Sequence, residues 1–192
     1  MYYNRTHLAV VFLLLLTGAG CTPTLQEKVL SYQQAHNDHD IDKVMSMYAD
    51  DITFEVVGMF VKTGKDQVRG IAEWDLATNS KMIISDIEIT GNTVTFNLKE
   101  GNDWFRLVGV EFMYYTPCSM VFDDGLIKSF KAEATAESIA AFGQAWPPVY
   151  QWLTQERKEE MSKLVTQDGA FIYNMENARA WISILNEWKS NN

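Results

Sequence analysis

An α+β fold, an antiparallel sheet with helices on one face, is predicted by three features of this 192-residue chain. Residues 29–58, VLSYQQAHNDHDIDKVMSMYADDITFEVVG, encode two short amphipathic helices that deliver the chain into a strand. After residue 80 the apolar period changes from helical to two, and it returns to helical after residue 134. That succession reads ααβ–α–βββ followed by a helical extension.

Each element has its own signal. Leu25, Val29, Tyr32 and His36 recur at helical spacing over 24–38. Asp40 stands where an N-cap belongs, and Ile41, Val44, Met45 and Tyr48 form the next stripe. Asp50-Asp51 break it, and 51–62 alternates as a strand bent at Gly58. Gly64 to Asn79 reads as a third helix with Val68, Ile71, Ala72 and Asp75 on one face. MIISDIEI and TVTFNLKE flank Gly91-Asn92 as a hairpin. Residues 107–122 read as one long strand, which Asp123-Asp124-Gly125 turn into LIKSFKAEA. In the extension, Thr135 caps a helix that Pro147-Pro148 should stop and restart. Ala178, Trp181, Ile182, Leu185 and Trp188 make a final stripe.

The first 20 residues have the layout of an export signal: Arg5, then the apolar run LAVVFLLLL, then TGAG before Cys21. The run is too short for a spanning helix. GAGC resembles the bacterial lipobox, which implies lipid attachment at Cys21 and an exported, envelope-located protein anchored by lipid alone; Gly18 departs from the usual Leu. The organisation expected is 1–20 signal peptide, 21–134 domain and 135–192 helical extension. Loss of Arg5 leaves 15 basic residues against 25 acidic, a surface that repels nucleic-acid backbones. With Cys21 lipidated, Cys118 has no disulfide partner.

The paired helices leading into ITFEVV, with GKDQVRG and the third helix downstream, resemble the opening of a nuclear transport factor 2-like (SnoaL-like) domain. That resemblance covers about residues 25–134. It implies a sheet curled into a cone, closed by helices around an apolar pocket. It also allows the catalytic residues of several enzymes to be sought. Tyr32 falls where ketosteroid isomerases keep a hydrogen-bond-donating tyrosine, but their base falls at Val56 and their second donor near Pro117 or Cys118. Arg106 has no acid at alternate spacing until Asp124, unlike limonene epoxide hydrolases, and no histidine lies beyond His39, unlike polyketide cyclases.

The expected function is therefore a non-catalytic module for a small apolar ligand or a protein partner, a homodimer included, with no cofactor. The alternative is an isomerase-, cyclase- or hydrolase-type enzyme using Tyr32 with Asp75 or Arg106. Strand parity assigns Phe54, Val56, Phe112, Tyr114 and Cys118, with Tyr32, to the pocket wall. HNDHD at 36–40 has metal-ligand residue types, but it sits at a helix end where Asn and Asp belong, and a third firm ligand is missing; no metal is expected. Trp146, Trp152, Trp181 and Trp188 require an apolar surface to cover. The outer sheet face, reading Met113, Tyr115 and Val121, is the favoured surface; the cone mouth is the other.

Overall fold

The computed structural model describes residues 22–191; the expected signal peptide and Cys21 lie outside them. Thr24 opens α1 (Leu25–Asn37) with a reciprocal capping box to Glu27, and Asp40 caps α2 (Ile41–Met47). The chain then enters β1 (Tyr48–Val56), turns at Gly58 (φ 75°) into β2 (Phe60–Thr63), and starts α3 (Lys65–Ala77). The hairpin β3 (Lys81–Thr90) and β4 (Thr93–Gly101) leads into a short α4 (Asp103–Leu107). Strands β5 (Met113–Asp123) and β6 (Leu126–Ala134) complete the sheet. Helices α5 (Ala136–Glu156), α6 (Lys158–Leu164) and α7 (Met175–Asn191) follow.

The sheet has six strands in the order β2-β1-β6-β5-β4-β3. All pairs are antiparallel except β1 with β6, which the intervening helices and strands bring together in parallel. Register breaks in β3, and between β4 and β5, mark bulges, which bend a sheet and increase its twist. Helices α1 and α3 cross the concave side, where Val29, Tyr48, Ile52, Val68 and Met120 are almost fully buried. The cone predicted for residues 25–134 is thus formed.

Three local expectations are corrected. Residues 107–122 are not one strand, because Asn102 caps α4 by accepting the Phe105 N–H at 2.8 Å, and β5 begins only at Met113. Parity also reverses within β5. Tyr115 pairs with Ala134 and Cys118 with Ala132, so β5 carries one extra residue at Thr116-Pro117. Met113 and Tyr115 are consequently buried before the bulge, and Cys118, Met120 and Phe122 after it. Finally, α5 runs through Pro147 and Pro148 rather than stopping. Both prolines face solvent, which can satisfy the carbonyls they leave unbonded, while Val149 and Leu153 hold the helix from the buried side.

The extension covers the mouth, not the outer sheet face. Trp104 of α4 meets Trp146 at 5.4 Å between ring centroids and Trp181 at 6.3 Å; Phe171 meets Trp181 at 5.1 Å. Tyr173 lies 5.1 Å from Trp74 of α3, and its carbonyl passes so close to Gly70 that an added Cβ would sit 2.4 Å from it. Met113 and Tyr115, expected outside, point inward after the parity change, and Phe112 and Tyr114 stand exposed instead.

Candidate functional site

A cavity of about 450 Å³ lies between the concave sheet face and the helices, within the size range of small-molecule sites. Phe54, Phe60, Trp74, Trp104, Phe130 and Phe171 supply most of an apolar, aromatic wall. Met59 and Ile139 also line it and are 52% and 60% exposed, so it opens between the β1–β2 turn and the first turns of α5.

One wall is polar, and its hydrogen bonds define their own directions. Asn102 spends its Oδ1 on the Phe105 N–H, so its Nδ2 donates to Glu100 Oε1 at 3.1 Å. That oxygen also accepts from Ser80 Oγ at 2.9 Å, and Tyr115 hydrogen-bonds the same carboxyl. With its only proton committed, Ser80 Oγ must accept from His36 Nε2, 3.3 Å away. The Nδ1 of a neutral His36 is then a bare acceptor. It faces Asp75 Oδ2 at 3.6 Å, beyond hydrogen-bond reach. The hydroxyls of Tyr32 and Tyr48 bond each other at 2.8 Å nearby.

Burial sets the charges here. It pulls the His36 pKa down to about 3, helped by His39 and Lys81, so His36 is neutral. It pushes Asp75 well above the usual carboxylate range, and the Glu100 charge pushes in the same direction. The accessible 19% of the Asp75 side chain faces an enclosed cavity rather than bulk water, so desolvation still dominates. Glu100 is raised by burial too, against the opposing pull of its Ser80, Asn102 and Tyr115 bonds. Burial likewise raises the Tyr32 phenol. Two carboxyls with raised proton affinity share a cavity whose lining contains no Lys or Arg among the described residues. Such groups can donate a proton or hydrogen bond, or ionise when a cation arrives.

Of the residues singled out in the sequence, Tyr32, Phe54, Val56 and Asp75 line the cavity. Phe112, Tyr114, Cys118 and Arg106 do not. Phe112 and Tyr114 are 36% and 46% exposed, with Lys99 Nζ 3.6 Å from the Phe112 ring centroid. Cys118 is fully buried in the core, its thiol pushed up to about 12 by burial, which removes it as a nucleophile. Arg106 pairs with Asp103 on α4 at 2.5 Å. His36 and His39 diverge: His39 reaches Asn79 at 3.4 Å. Glu100, Ser80, Asn102 and Tyr115 were not foreseen. Glu100 was findable, because it continues the inward register of Val94, Phe96 and Leu98. Tyr115 was hidden by the bulge, whose signal was Pro117 within a strand.

No family model and no curated protein matches the sequence. Solved structures match the fold. An NTF2-like protein of unknown function from Cytophaga hutchinsonii superposes with a TM-score of 0.52 at 14% identity, over 63% of this chain and 98% of its own. SalBIII, an epoxide hydrolase/cyclase-like enzyme of pyran ring formation in the polyether salinomycin, gives 0.52 at 17%, over 59% and 92%. An M. tuberculosis LEH-like epoxide hydrolase gives 0.51 at 15%, over 67% and 92%. The fold is the nuclear transport factor 2-like cone. At these identities the likeness concerns architecture, and the same cone carries enzymes and proteins of unknown function alike.

Proposed function

We propose that this protein is an envelope lipoprotein, anchored through Cys21, whose lidded cone binds a small, largely apolar molecule. The observation that carries the binding reading is the cavity of about 450 Å³ with aromatic walls, one polar wall and an opening beside α5. The anchor rests on the export-signal layout ahead of Cys21. Native mass spectrometry of the purified protein tests binding: a co-purifying small molecule, released on unfolding, is the expected result. Metabolic labelling with an alkyne fatty acid tests the anchor, with label lost in Cys21→Ser.

A second reading, acid–base catalysis, is favoured by one observation: Asp75, of raised pKa, shares the cavity with His36, Glu100 and Tyr32. Arg106 takes no part in it. Hydration of a lipophilic epoxide to its diol, lost in Asp75→Asn, is the measurement that would promote this reading above binding.

A further inference from the structure

We propose that the cavity selects a protonated amine carried on an apolar body, with Asp75 as the counter-charge, His36 Nδ1 as a second acceptor and aromatic rings around the cation. This ligand class presupposes that the cavity binds small molecules at all.

The inventory of donors and acceptors carries the choice. On the Glu100 side, Ser80, Asn102 and Tyr115 all serve that carboxyl. Asp75 accepts no side-chain hydrogen bond among the described residues, and its near neighbour, His36 Nδ1, is an acceptor too. His36 is only 6% exposed and lines the cavity, so bulk water does not serve that nitrogen. Once ionised, Asp75 stands beside an imidazole acceptor with no side-chain donor bonded to it, and that pair calls for a ligand with N–H donors. Charge narrows it further. A ligand anion would meet two carboxyls and no Lys or Arg on the cavity wall, whereas an ammonium restores one carboxylate's missing partner. A metal ion fits poorly, because no three His, Cys, Asp or Glu side chains among the described residues lie within ligating reach. Trp74 and Tyr173, 5.1 Å apart and both on the cavity wall, offer ring faces of the kind that attract organic cations.

Binding should be coupled to proton release. The groups facing Asp75 are His36 and Tyr32 of α1, Tyr48 of β1, Glu100 of β4, Tyr115 of β5 and Tyr173 ahead of α7. None of them is a cation at neutral pH, so nothing offsets the burial that raises the proton affinity of Asp75, and an incoming ammonium favours its ionised form. Affinity for an amine then rises with pH through the raised carboxyl range, and affinity for a neutral analogue does not.

Three adamantanes of the same body and different head test this by isothermal titration calorimetry: 1-adamantylamine, 1-adamantanol and 1-adamantanecarboxylate. The amine should bind at least about tenfold more tightly than the alcohol, since a charged hydrogen bond exceeds a neutral one by roughly that factor. The carboxylate should bind weakest. Titration of the amine in two buffers of different ionisation enthalpy should report proton release, and Asp75→Asn should reduce its affinity to that of the alcohol. Equal binding of amine and alcohol would overturn the amine assignment and leave the small-molecule reading standing. Failure of all three to bind would overturn both. If Asp75→Asn does not fold, the ligand series and proton release on the unaltered protein still decide.

Discussion

Two sets of helices close the cone, and they differ in what they carry to it. Helices α1 and α3 bring hydroxyls, an imidazole and a carboxyl: Tyr32, His36 and Asp75. The extension brings Phe142, Phe171 and Tyr173 to the cavity, with Trp146 and Trp181 packed against Trp104. The first closure therefore depends on protonation and the second on packing. Hydrogen-bonded groups tolerate burial only when partnered, whereas stacked rings need only a surface. The chemistry of the site belongs to one region and its shelter from water to the other.

The largest effects should fall on the packed closure. Deleting residues 136–192 should leave an insoluble protein, because Trp74, Trp104 and the cavity wall would face water; a soluble core of unchanged melting temperature would break the distinction. Trp181→Ala, which removes a ring that is 1% exposed, should lower stability by about 3–5 kcal/mol in urea unfolding. Gly70→Ala should lower it by about 1–3 kcal/mol, since a Cβ there collides with the Tyr173 carbonyl and pushes the extension off α3.

Smaller effects distinguish the polar closure. A carboxyl whose folded pKa is raised contributes fully below its unfolded value, about 4, and loses that contribution as pH rises toward the folded one. Asp75→Asn should thus match the native protein near pH 4 and gain stability relative to it as pH rises toward 7. His36 acts in the opposite sense. Its folded pKa of about 3 lies below the ordinary 6.5, so its contribution is lost as pH falls from 6.5 through 3. Urea midpoints across pH 3–7 read both slopes, and Trp181→Ala should move the midpoints without changing either slope.

The smallest effects mark open or exposed positions. Gly143→Ala meets nothing within 4 Å and should gain about 0.5–1 kcal/mol from helix propensity, the reverse of Gly70→Ala. Tyr114→Thr, on the exposed side of β5, should change stability by less than about 0.5 kcal/mol and leave ligand binding untouched. A binding defect in that variant would mean that the parity of β5 is other than described.

Most elements and their order were legible along the chain because each is local: a capping residue, an apolar period, a glycine turn; α4 and the unbroken α5 were not. Asp40 and Thr135 cap the helices their positions announce, and the hairpin turns at Gly91 as its flanks require. The inward register of Val94 to Glu100 was legible for the same reason, since period two persists wherever no bulge intervenes. What depended on long-range pairing was not. One extra residue in β5, visible only against β6 and β4, moves Tyr115 into the cavity and Tyr114 out of it. Likewise, four tryptophans in the extension demand an apolar surface, but the partner that Trp146 and Trp181 meet, Trp104, is distant in sequence. The polar wall joins Asp75, His36, Ser80 and Glu100 from four separate segments, and no periodicity relates them. Sequence by itself determined most of the helices and strands and the need for cover; the tertiary structure decided which faces meet, because burial and pairing across the cone are properties of the assembled sheet.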